Sequence, residues 1–120
     1  MPLKQLKTTD VKEIISKAAE RSKIKLPEEY SFGDARGPEW DAWEAISKNI
    51  EELMESLSDG AIIELQALMW LGRGDSGDDF DALVKHAQGT HSPGTIRYIT
   101  SKSSLSEYLT EGSKKLGIAI

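Results

Sequence analysis

Six side chains combine the types needed to hold or act on a small molecule: Trp70, Arg73, Asp75, His91, Arg97 and Tyr98. Guanidinium groups grip planar anions in a two-pronged way, tryptophan and tyrosine offer flat walls with one polar tip, and Asp75 or His91 is the candidate acid or base. Trp70, Arg73 and Asp75 fall in the stretch Leu65 to Asp75, where an almost wholly apolar segment runs into a charged glycine turn. Each of these residues also has a structural use. Arg73 can bond the last carbonyls of the preceding helix or pair with Asp75, Trp70 can be core, and a histidine near a helix end serves as a cation or donor. The turn from Gly72 to Asp75 is therefore nominated either as the edge of a pocket or as a stitched helix end.

Other chemistries fail on their own patterns. Asp75, Asp78, Asp79 and Asp81 crowd one turn and offer oxygen ligands to a hard cation, but the alternating acids, central glycine and later glutamate of a calcium loop are missing. A local use is simpler: Asp75 or Ser76 caps the next helix, and Asp78 and Asp79 face the positive end of its dipole. The glycines lack the Gly-Lys-Ser/Thr ending of a phosphate loop, and the aspartates oppose a phosphate. Gly74-Asp75-Ser76-Gly77 echoes a serine-protease nucleophile without the β architecture and histidine base of that chemistry. Arg73-Gly74-Asp75 has the letters of a cell-adhesion tripeptide in a chain with no export signal. His86 and His91 stand five apart, not the four of a helical zinc pair. No metal and no cofactor is expected.

The elements that must position these residues read as helices. Val11, Ile14, Ile15 and Ala18 share one face of a first helix from about Asp10 to Lys23, with Thr9 or Asp10 as cap and Glu13 completing a capping box. Between Pro27 and Gly37 the period disappears and turn residues take over, giving a connecting loop. Pro38 suits the first turn of a second helix, whose apolar stripe is Trp43, Ile46, Ile50, Leu53, Met54 and Leu57. Ser58 or Asp59 caps a third, apolar nearly all round from Ile62 to Leu71, which predicts the buried centre of a bundle. Gly72 is expected to end it. A short helix follows with Phe80, Leu83, Val84 and Ala87, then after Ser92-Pro93 a brief one with Ile96 and Ile99 inward. A last helix opens on a Ser104 to Glu107 capping box and carries Leu105, Tyr108, Leu109 and Leu116. The fold class is all-α: a single domain over residues 1–120, a compact bundle of about six helices around a central apolar one, with 27–37 as its connecting loop.

Composition bounds the partners. The 120 residues carry a net charge of −5 and no cysteine, so neither a disulfide nor a thiolate metal site is available. Charge is unevenly spread: residues 1–27 sum to +4, residues 28–90 to −11 and residues 91–120 to +2. An acidic middle repels phosphate backbones, so nucleic acid is not an expected partner. The first residues, Met1 to Lys7, lack the apolar run of a secretory signal, and the stretch from Ala61 to Leu71 is too short to span a bilayer. A cytoplasmic protein with no membrane partner is expected.

The pattern Leu65-x-Ala67-Leu68-x-Trp70-Leu71-Gly72-Arg73-Gly74-Asp75 continues with Phe80 and Leu83, His91, Thr95-x-x-Tyr98-Ile99 and Leu105-x-x-Tyr108-Leu109-x-x-Gly112. In this it resembles a family of small bacterial proteins known as domain of unknown function 3775. Asp10-Val11, Ile14-Ile15 and Lys17-Ala18 look similar as well. Gly94 stands where members often have arginine, and Ser101 and Ser103 replace a common glycine and proline. The resemblance implies the fold and the location of a site, and no reaction.

The first functional expectation is a non-enzymatic domain that binds a partner protein or a second copy of itself through the Arg73–Asp75 turn. The alternative is a small-ligand binder or enzyme using Arg73, Asp75, His91 and Arg97 around Trp70 and Tyr98. A third, a DNA-binding helix pair, rests on Lys12, Lys17, Arg21, Lys23 and Lys25.

Overall fold

A computed structural model describes residues 3–24, 38–74 and 79–118, and these form six helices. In chain order they are α1 (Thr8–Ser22), α2 (Pro38–Glu55), α3 (Asp59–Arg73), α4 (Phe80–Thr90), α5 (Thr95–Thr100) and α6 (Leu105–Lys115). No strand occurs among the described residues. The expected connecting loop at 27–37, and Asp75 with its neighbours to Asp78, lie outside them.

The apolar third segment is the hub. Every residue of α3 from Glu64 to Leu71 is buried, and the helix packs against α6, α4 and α5, while α1 lies on α2 and α6. Ser58 starts it as expected, its Oγ accepting the Ala61 N–H at 3.2 Å. Its end differs from expectation. The helix continues through Gly72 to Arg73, and Gly74, at φ 100°, is the left-handed cap whose N–H returns to the Trp70 and Leu71 carbonyls. Gly72 serves packing instead: a Cβ there would run into the Tyr108 carbonyl, and one on Gly112 into the Leu68 carbonyl. Two bare glycine faces thus let α3 and α6 touch backbone to backbone.

Three other expected caps are corrected. The N-cap of α1 is Lys7, with no side-chain cap bond, so Thr9, Asp10 and Glu13 form no capping box. Ser104 sits at φ −96°, ψ 22°, away from the extended geometry a capping hydroxyl needs, and it makes no cap bond to α6. For α4 the cap is Asp79, whose carboxylate accepts the Ala82 N–H at 3.2 Å, in place of Asp75 or Ser76.

Two buried charges tie the helices together. Glu64, 6% exposed on α3, accepts the backbone N–H groups of Lys4 and Gln5 at 2.7 Å and of Leu6 at 2.8 Å. The arm before α1 is thereby pinned, with Leu3 and Leu6 in the core. Arg21, 1% exposed on α1, donates to Ser47 Oγ at 3.0 Å, to the Thr100 carbonyl at 2.7 Å and to the Lys102 carbonyl at 2.8 Å, and lies 4.8 Å from the centre of the Trp43 ring. It joins α1, α2 and the end of α5, and burial lowers its pKa. It is therefore not part of an exposed basic face.

Candidate functional site

Burial positions the first site residue. Trp70 lies one turn before the end of α3, 7% exposed, because its helix is apolar on every side. Its indole Nε1–H still needs an acceptor, and finds it in the Tyr98 hydroxyl of α5 at 3.2 Å. On the α4 side, His86 meets the Trp70 ring edge-on with centroids 5.1 Å apart. Tyr98 is held from several directions. The positive charge of Arg73 acts on its hydroxyl, and Lys102 Nζ stands 4.5 Å from the ring centre. Burial pushes the phenol pKa up, but the Trp70 hydrogen bond and the nearby positive groups of Arg73 and Lys102 together outweigh it, leaving it below the ordinary value.

Beside this pair opens a hollow of about 360 Å³. Gln66 and Trp70 of α3 form one wall, Thr95 and Tyr98 of α5 another, and Thr90, Ser92 and Gly94 the rim. The rim is built by its own hydrogen bonds: the Ser92 N–H donates to Thr95 Oγ1 at 2.9 Å and the Gly94 N–H to Ser92 Oγ at 3.2 Å. Gln66 is different. It is 3% exposed, yet its Oε1 has no hydrogen-bond partner. An acceptor buried in this state costs about 1–3 kcal/mol.

Of the six nominated residues, Trp70, Arg73 and Tyr98 converge. His91 lies next door, at the end of α4, with Nε2 3.5 Å from Asp59 Oδ1 and Nδ1 without a partner, in a hollow shared with Ile62 and Ile96. Arg97 faces a third hollow, with Glu51 and Glu55 of α2. Asp75 lies outside the described residues. At the end of α3, Lys115 Nζ of α6 reaches the Leu71 carbonyl at 3.0 Å. Among the described residues no set of three His, Cys, Asp or Glu side chains is placed to hold a metal.

Sequence reasoning missed Gln66. The signal was present: it is an amide inside a helix otherwise apolar all round, four residues before Trp70 and so on the same face. His86, not among the six nominated residues, and Lys102 were missed because their closeness to Trp70 and Tyr98 depends on how α4 and α5 cross α3.

The fold and site define a small all-α domain with a half-aromatic hollow at the flank of its central helix. The chain belongs to the family described as "Protein of unknown function (DUF3775)", whose model matches residues 47–118. That match takes in α3 to α6 and every residue of the hollow, while the resemblance seen in α1 lies outside it. No curated protein and no solved structure matches the chain. No helix among the described residues is long and apolar enough to cross a membrane.

Proposed function

We propose that this protein is a small-ligand-binding domain of the cytoplasm, with its site in the hollow between Trp70 and Tyr98. The observation that carries the reading is the half-aromatic hollow itself, whose lining includes Trp70, Tyr98 and Gln66, the last a buried amide whose Oε1 has no hydrogen-bond partner. Buried polar atoms are almost always satisfied, and a largely apolar, aromatic hollow with a few polar side chains in its lining is the kind of place where small ligands bind. Binding is favoured over catalysis because the candidate base His91 stands in a separate hollow. The absence of cysteine suits a reducing compartment.

A fragment screen read by the Trp70 indole N–H resonance, assigned with Trp70→Phe, tests the reading. Fragments that bind are expected to move that resonance first. Hits that leave it unmoved and shift other surfaces would overturn the proposal.

A further inference from the structure

We propose that the hollow binds a small aromatic monocarboxylic acid, its ring against the aromatic lining and its carboxylate on the Tyr98 hydroxyl. This rests on the small-ligand reading above and adds the charge and body of the ligand. Two hydroxyls set the sense of the hydrogen bonding. Tyr98 is half-buried with its hydroxyl near the surface; the oxygen accepts the Trp70 indole N–H at 3.2 Å, and its own proton has no acceptor among the described residues. Ser92, exposed on the rim, repeats the pattern: its Oγ accepts the Gly94 N–H at 3.2 Å and donates to no described group. Both hydroxyls thus keep an unused O–H, and a ligand oxygen is the acceptor that answers it.

Charge decides that this oxygen belongs to an anion. Lys102 Nζ stands 4.5 Å from the centre of the Tyr98 ring, the charge of Arg73 acts on the same hydroxyl, and no carboxylate is among the residues lining the hollow. The phenol accordingly lies below its ordinary pKa, the direction set by surroundings that favour negative charge. An ammonium ligand would meet two cations and no counter-charge. A neutral carbonyl could accept the same O–H, but without the charge-assisted gain a carboxylate makes. The lining sets the body: it is mostly apolar and holds an indole and a phenol, so a flat ring suits it and further charged groups do not. At about 360 Å³ the hollow lies at the small end of ligand sites, which span roughly 300–1,000 Å³, so one ring with its acid group is the fitting size.

The test is an NMR titration of the full chain with benzoate, benzamide and benzylamine, one ring carrying a negative, a neutral and a positive group, read at the Trp70 indole N–H. Benzoate is expected to shift it saturably, with benzamide at least about ten-fold weaker and benzylamine weaker still. Tyr98→Phe should weaken benzoate at least about ten-fold. Lys102→Gln, which leaves the Trp70–Tyr98 hydrogen bond in place, should weaken benzoate roughly two- to five-fold and leave benzamide unchanged. Equal binding of benzoate and benzamide, tighter binding of benzylamine, or benzoate binding indifferent to Lys102→Gln overturns the anion assignment and leaves the hollow a ligand site. Benzoate binding untouched by Tyr98→Phe overturns the placing of the carboxylate. If no probe moves Trp70, the assignment fails too, and the fragment screen then decides whether the hollow binds anything.

Discussion

Glu64 and Gln66 stand two residues apart on the same buried helix, and their oxygens fare oppositely. The Glu64 carboxylate receives three backbone N–H groups and fastens the arm that carries Leu3 and Leu6. The amide of Gln66, a residue in the lining of a hollow, leaves its buried Oε1 unanswered. A buried charge that collects three short bonds belongs to the fold, whereas a buried neutral acceptor without one is a cost the fold carries. The stretch of α3 around Glu64 is thus built for stability, and the stretch around Gln66 and Trp70 is the one we propose for binding.

Substitutions can break this contrast. Trp70→Ala is expected to have the largest effect, about 3–5 kcal/mol lost in urea unfolding, since it empties a core position; a mild loss would place the indole in the site rather than in the core. Glu64→Ala should follow, at roughly 2–4 kcal/mol, because three backbone donors lose a charged acceptor and the arm is freed. Hydrogen exchange at Lys4 to Leu6 should rise at the same time. If it does not, something other than Glu64 holds the arm. Gly112→Ala should cost about 1–3 kcal/mol by forcing α6 away from the Leu68 carbonyl. Arg73→Ala is expected to cost no more than about 1 kcal/mol, because the arginine is exposed and Lys115 serves the Leu71 carbonyl. A larger loss would return Arg73 to the helix-end role first read from the sequence.

The hub was legible because a helix apolar on all sides has nowhere to go but the centre, and α3 is buried without interruption from Glu64 to Leu71. Its exit was misread at Gly72 because a glycine after an apolar run signals a cap and a close approach equally, and only the position of α6 separates the two. Arg21 read as part of a basic face, since charge counting does not reveal that carbonyls at the end of α5 wait for it. In the site, Trp70, Arg73 and Tyr98 were nominated by type and are brought together by the crossing of α3 and α5. That crossing also sends His91 and Arg97 into separate hollows, a separation of only a few residues in sequence that the 91–97 stretch turns into different faces.

The most direct test of the central claim is the unfolding free energy of Gln66→Leu without ligand. Removing a buried acceptor that has no partner, with little change of volume, should leave stability unchanged or raise it by up to about 1 kcal/mol. A loss of about 1–3 kcal/mol would show that the amide is satisfied and structural, and the contrast with Glu64 would fall.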